Sequence, residues 1–317
     1  MSGAAILFPG QGAQALGMGL DLGLAEPAAR DVLQLAEDTL RLPLRAILGG
    51  SDQAALDRTD VCQPAILAVS LAALAALTAR GRLDAARVTA VAGLSLGEYT
   101  ALAWAGALPP ADALRLVRLR GQAMQRASEE RPSGMLSLLG ADEEQAAALC
   151  DKARGDGVLV VANLLAPGQT AIAGTADAIG RAQALARELG IRKAVPLAVA
   201  GAFHSPCMES AAAELGRALD AVLLVAPRVP VVLNVTAEPC RDPATIRTQL
   251  RRQITAPVQW RGSMEKLLAL GCAQFLEPAP GRQLTNMLKR QQPTIQVATC
   301  GTAAELDAAP RWPGEGA

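Results

Sequence analysis

The chain has 317 residues with 30 basic and 30 acidic side chains, so its formal net charge at pH 7 is zero. That length can bury a substantial core in one large domain or two smaller ones, and charge balance implies neither nucleic acid nor a membrane surface as a global partner. Aromatic residues make up only 2%, which argues further against stacking on bases, while 51% hydrophobic residues is the share of a soluble globular protein.

The predicted elements begin with a strand, Ala4 to Phe8, followed by the loop Pro9-Gly10-Gln11-Gly12-Ala13-Gln14. Glycines straight after a strand let a backbone N–H approach a ligand closely. Helices are expected at Ala28–Leu40 and Gln63–Arg80. The second holds the longest apolar stretch, Pro64 to Leu77, too short to span a bilayer and read as a buried core helix. The run Val88-Thr89-Ala90-Val91-Ala92 then leads into Gly93-Leu94-Ser95-Leu96-Gly97, and a helical pattern, Glu98–Trp104, follows. Strand, G-x-S-x-G and helix are the context of a nucleophile elbow, a turn too sharp for flanking side chains that leaves the serine hydroxyl exposed on a strained corner. The helix aims its N–H groups at any negative charge forming beside Ser95. Another helix is expected near Ala111–Ala127.

From Gly134 the pattern changes. Gly134–Gly140 is strand-like, Asp142–Ala153 helical and Val158–Leu165 strand-like. A Pro167-Gly168 turn leads to a strand at Gln169–Ala173, a helix at Asp177–Leu189 and a strand at Ile191–Val199. This β-α-β-β-α-β order is the split-βαβ signature of a ferredoxin-like unit. Beyond it the pattern gives a helix (Met208–Leu223), a strand (Val229–Asn234) and a helical segment (Asp242–Ile254). Another helix after Pro257-Val258-Gln259-Trp260, a strand (Ala273–Leu276) and a last helix (Gly281–Arg290) complete the series. The expected fold class is α/β: an α/β-hydrolase-like large subdomain with a parallel sheet, carrying an inserted ferredoxin-like α+β subdomain. The boundaries fall at 1–130 and 200–306 for the large subdomain and 131–199 for the insertion, with a mobile Pro/Gly-rich tail at 307–317. The cleft between the two bodies is the expected site.

A serine needs a base to take its proton, and His204 is the single histidine in the chain. It sits in Ala200-Gly201-Ala202-Phe203-His204-Ser205-Pro206, on a loop after a strand, where function concentrates. An imidazole also titrates where such a base should. The opposing readings are an idle serine in a tight turn and a histidine without chemistry. Six cysteines lie far apart with no C-x-x-C, so neither a metal site nor a disulfide framework is expected, and reduced thiols in a cytoplasmic protein is the plain reading. Met1–Phe8 lacks a basic n-region and is not read as a signal peptide.

Several segments occur in order along nearly the whole chain: Phe8 to Gln14, the Ser95 elbow with Glu98, Leu119-Arg120-Gly121, and Asn163 with Pro167-Gly168-Gln169. They continue with Gly201 to Ser205, Arg252-Gln253 before Pro257-Val258-Gln259-Trp260, and Gly281-Arg282-Gln283-Leu284-Thr285. Together they resemble the malonyl-CoA:acyl carrier protein transacylases, the loading enzymes of type II fatty acid synthesis. The resemblance implies that Ser95 carries the acyl group as an ester while His204 acts as base, then acid. It implies an oxyanion hole from the backbone N–H groups of Gln11 and Leu96, and a grip on the substrate's free carboxylate by Arg120. The backbone carbonyl of Gln253 would orient the histidine, leaving the Gln253 side chain dispensable. Phe203 and Asn163 would contact substrate, Phe203 favouring malonyl over methylmalonyl. No metal or permanently bound cofactor is implied. Malonyl-CoA is the implied donor and the phosphopantetheine of an acyl carrier protein the acceptor, for fatty acid elongation by a cytoplasmic monomer.

The chemistry is consistent with this without the resemblance. A thiol leaving group, with a reference pKa near 8.5, departs far more easily than an amine, so a neutral carbonyl can suffice to set the imidazole tautomer. The Arg120 fork can bind a carboxylate bidentately. On sequence alone an ion pair with Glu98 or Glu129 is an equal account of it. Leu94 replaces the family's frequent histidine before the nucleophile, read as a packing change, and Leu165 replaces a frequent second asparagine at the cleft mouth. The rival readings are a serine hydrolase with Asp142, Asp156 or Asp177 as third triad member, a non-catalytic docking partner, and a discrete malonyl-loading subunit of a polyketide or malonate decarboxylase system. Lys289-Arg290 and Arg192-Lys193 are the densest basic pairs near the cleft and candidates for carrier docking.

Overall fold

The computed structural model describes residues 3–278 and 281–314. Its strands are β1 (Gly3–Phe8), β2 (Val88–Gly93), β3 (Ser133–Leu139), β4 (Leu159–Ala166), β5 (Gln169–Thr175), β6 (Lys193–Pro196), β7 (Val231–Val232), β8 (Pro239–Cys240), β9 (Cys272–Glu277) and β10 (Gln296–Thr299). The larger sheet has the order β10-β9-β1-β2-β7-β8. Its neighbours pair in parallel except β7 with β8. Strands buried on both faces read as continuous apolar runs, and β1 does so: Ile6 and Phe8 enter one core cluster, Ala5 and Leu7 the other. Ligands bind such sheets outside the carboxyl ends of the strands, and the loops after β1 and β2 lie there.

The smaller sheet, β4-β5-β3-β6, is antiparallel throughout. Period-two alternation divides its side chains. Leu136, Leu138, Leu159 and Ile172 pack on the helices Glu143–Ala153 and Ala176–Leu185. Met135, Ala171 and Ala173 face the large core instead. The two bodies are stitched at Val258, whose N–H donates to Ala162 O (2.9 Å) and whose carbonyl accepts from Leu164 N–H (2.9 Å).

The helix Thr59–Ala79 has 21 residues and is by length and composition able to cross a membrane, longer than the apolar stretch suggested. Of its most apolar 18-residue window 89% is buried inside the protein, as a core helix would be. Several elements differ from expectation. β6 stops at Pro196 instead of Val199, although one bond across to β3, from Leu197 N–H to Met135 O (3.0 Å), follows it. β7 is two residues long instead of reaching Asn234, which leaves the sheet to bond the elbow. The helix at Gln283–Gln291 is not the last, since β10 and the helix Ala303–Ala308 follow. Of the tail expected to be mobile, residues 315–317 lie outside the described residues. Trp312 within it is 6% exposed, donates its N–H to Arg82 O (2.7 Å) and accepts from Asp84 N–H (2.9 Å). Burying the indole offsets the flexibility that proline and glycine confer.

Candidate active site

The elbow forms at the carboxyl end of β2. A Cβ at Gly93 would lie 1.9 Å from the Gly97 backbone, and one at Gly97 would lie 2.2 Å from Phe8 O, so both positions require glycine. Ser95 is left at φ 54°, a left-handed conformation that costs of order 1–3 kcal/mol unless its surroundings impose it. Asn234 imposes it. Its Oδ1 accepts the Ser95 N–H (2.7 Å) and its Nδ2 donates to Gly93 O (2.6 Å).

His204 Nε2 lies 2.8 Å from Ser95 Oγ. Nδ1 lies 2.7 Å from the Gln253 carbonyl, which can only accept, so Nδ1 carries the proton and Nε2 presents a lone pair to the hydroxyl. Ser205 fixes the loop by donating its hydroxyl to Ala202 O (2.6 Å) and accepting Cys207 N–H (3.2 Å). Burial first, and the Arg120 charge second, push the imidazole down to about 4 against the opposing Gln253 carbonyl. The imidazole is therefore neutral at neutral pH.

Arg120 comes from the helix Pro110–Glu130. The next residue, Gly121, lets that helix press on Thr59, whose carbonyl would lie 2.5 Å from any Cβ there. This close approach brings Arg120 Nη1 to Gln63 Oε1 (2.9 Å), while Nη2 donates to Ser95 Oγ (2.9 Å) and Gln253 Oε1 (3.1 Å). Its buried Nε has no partner among the described residues. Among the described residues no carboxylate bonds the guanidinium: Glu98 accepts from Gln253 Nε2 (2.5 Å), and Glu129 accepts from Gln125 at the surface. The ion-pair account of Arg120 is thereby removed. The Gln253 side chain, expected to be dispensable, is hydrogen-bonded throughout: its amide bonds Arg120, Glu98 and Ser95 O while its carbonyl holds the histidine.

The N–H groups of Gln11 and Leu96 have no hydrogen-bond partner among the described residues, and both line the cavity beside Ser95. The cavity measures about 330 Å³. Phe203 and Asn163 line it, as do Leu94 and Leu165 at the two departures from the family pattern. Asp142, proposed as a triad member in the hydrolase reading, instead caps the helix Glu143–Ala153 through Gln145 N–H (2.8 Å). The basic pairs Lys289-Arg290 and Arg192-Lys193 are exposed, and Arg290 donates to Gln169 on the cavity wall (2.6 Å).

Residues 6–306 match the acyl transferase domain family. The chain belongs to that family, among the malonyl-CoA:acyl carrier protein transacylases. This acyl transferase is 40% identical over 293 residues to the malonyl CoA-acyl carrier protein transacylase of Bacillus subtilis, covering 92% of the chain and 90% of that protein. The crystal structure of malonyl-CoA:acyl carrier protein transacylase from Xanthomonas oryzae matches it with a TM-score of 0.92 and 40% identity, over 98% of this chain and 99% of that one. A malonyl-transacylase solved in complex with its type II polyketide acyl carrier protein matches with a TM-score of 0.93 and 36% identity, over 97% and 99% of the two chains.

Two residues of this acyl transferase site escaped sequence reasoning. Gln63 carried a signal, a polar side chain directly before the apolar stretch of its helix, and the structure buries it against Arg120, since such groups are buried only with partners. Asn234 carried none, because it meets Ser95 only through a contact 139 residues apart in the chain.

Proposed function

We propose that the protein transfers a malonyl group from coenzyme A to the phosphopantetheine thiol of an acyl carrier protein through a malonyl-Ser95 ester. The observation that carries this reading is Arg120, a buried cation with an unpartnered N–H whose Nη2 lies 2.9 Å from the nucleophile. A cleft that buries a cation beside a serine selects an acyl group ending in a carboxylate.

The steps follow from the geometry. Neutral His204 takes the Ser95 proton at Nε2 as Oγ attacks the thioester carbonyl. The unpartnered N–H groups of Gln11 and Leu96 support an oxyanion role, with the helix Gly97–Trp104 starting beside them. Collapse expels the coenzyme A thiolate, which takes its proton from the imidazolium. The carrier's thiol then reverses the sequence, losing its proton to His204 and receiving the malonyl group. The malonyl carboxylate has a second effect. By neutralising Arg120 it removes one of the two causes that hold His204 down, so the substrate strengthens its own base.

Intact-mass measurement after incubation with a panel of acyl-CoAs tests the reading. A malonyl adduct on the peptide bearing Ser95, discharged by holo carrier protein, is the expected outcome. Free malonate released without an acceptor thiol would indicate a hydrolase. The likeness to a transacylase solved with a polyketide carrier supports a second acceptor class, and comparing kcat/KM for fatty acid and polyketide carriers separates the two. The same reading treats residues 131–199 as an inserted subdomain, supported by their separate sheet, and places the protein in the cytoplasm, supported by six free cysteines.

A further inference from the structure

Glu98 is 1% exposed, and neutral amides meet both of its carboxyl oxygens. Oε2 accepts from Gln253 Nε2 (2.5 Å) and Oε1 from the backbone N–H of Asn234 (3.3 Å). Each of those two residues then touches a reacting group. Gln253 offers its carbonyl to His204 Nδ1 (2.7 Å) and its Oε1 to Arg120 (3.1 Å). Asn234 holds the Ser95 N–H (2.7 Å).

One carboxyl thus stands a single residue away from nucleophile, base and arginine. A group that only filled this space would be apolar, since burying a carboxyl is costly and a hydrophobic side chain packs without that cost. Accepting from Nε2 also polarises the Gln253 amide, which makes Oε1 a stronger acceptor for Arg120. A hydrolase places its carboxylate directly on the histidine. Here an amide residue intervenes.

The geometry points to Glu98 as the positioning residue of this site, a single carboxyl that fixes His204, Arg120 and Ser95 relative to one another through Gln253 and Asn234. This rests on the Ser95–His204 reading above. It adds a role that the dyad's own chemistry does not require.

The test measures Ser95 acylation by malonyl-CoA and Ser95 sulfonylation by phenylmethanesulfonyl fluoride, in the wild type, Glu98→Gln, Gln253→Met and the double variant. Sulfonylation reads the dyad without malonyl, so failure of the wild type to take malonyl while still reacting with the fluoride counts against the proposed function alone. Glu98→Gln is expected to slow both reactions by roughly 10–100-fold per folded molecule, the range seen when a group that orients a functional side chain is lost. The double variant is expected to fall no further than the slower single variant, because Glu98 acts through Gln253. Multiplying losses, or unchanged rates with only a lower melting temperature, would overturn the assignment. If Glu98→Gln does not fold, Gln253→Met decides alone. It cuts the link yet keeps the backbone carbonyl, and a wild-type sulfonylation rate in it overturns the proposal.

Discussion

Ser95 and His204 are both held at positive φ, 54° and 59°, and their reactive atoms meet at 2.8 Å. Two non-glycine residues in the left-handed region, with their side chains in hydrogen-bond contact, are imposed by their surroundings and not by their own preference. Ser95→Ala should keep the fold and form no acyl-enzyme, as read by intact mass. His204→Ala should slow acylation by ~10²–10⁴-fold, the usual worth of a positioned base. A near-normal rate in it would dissolve the dyad.

Asn234→Ala removes both side-chain bonds that impose the Ser95 backbone. Each buried group left unsatisfied costs about 1–3 kcal/mol, so denaturant midpoints should fall and acylation should slow beyond what the lost stability explains. Wild-type acylation per folded molecule would show that the elbow holds itself.

Arg120→Ala should lose malonyl transfer by roughly two powers of ten, at ~1.4 kcal/mol for each, and gain activity toward acetyl-CoA relative to malonyl-CoA. Unpaired beside acetyl, the buried cation is a penalty that alanine removes. Arg120→Lys should recover part only, because a point charge cannot serve Gln63, Gln253 and a carboxylate as a fork does. Equal losses with both substrates would remove Arg120 from recognition.

Gln253→Ala should be nearly as damaging as loss of the base, contrary to the expectation from sequence. The carbonyl survives the substitution, but Arg120, Glu98 and Ser95 O each lose a partner. Steady-state kinetics should show a large fall in kcat, and a wild-type kcat would return the side chain to a bystander.

His204 is the only histidine, so its ring proton resonance reports the base without assignment. It should titrate near 4 in the free protein and shift upward when malonate neutralises Arg120. A free-protein midpoint at 6.5 would mean the imidazole is solvated. Stability follows by linkage. Between 6.5 and about 4 the unfolded chain binds a proton that the folded base refuses, so stability falls by up to ~3 kcal/mol as pH drops through that window. Glu98 opposes it. Burial raises its carboxyl from 4.5 to about 7, so the folded form binds more protons there and stability is lost as pH rises through that window. The two slopes nearly cancel in their overlap, and Glu98→Gln should unmask the His204 slope in melting temperature against pH.

The elbow was legible because its pattern is local, two glycines around a serine with a strand before them and a helix after, even though the contact that fixes Gly97 comes from Phe8 on another strand. The ferredoxin-like unit was legible because element order alone defines it. Arg120 was legible as a residue but not in its surroundings, since Gln63, Gln253 and Ser95 reach it from 57, 133 and 25 residues away. Short elements failed for a related reason. Val231–Val232 is a strand because β2 and β8 stand on either side of it, and Gln296–Thr299 because β9 does.

The inserted sheet separates Ser95 from His204 by 109 residues, and the carbonyl that orients the histidine comes 49 residues later still. Chains are made and domains fold from the amino end. A nascent copy therefore exposes its serine long before it has a base, and its base before that base has an orienting partner. Until the helix Pro243–Gln253 has emerged the hydroxyl has no means of losing its proton to the imidazole in the right tautomer. A copy that ends before Gln253 therefore has the serine without its oriented histidine, and the assembled site requires most of the chain.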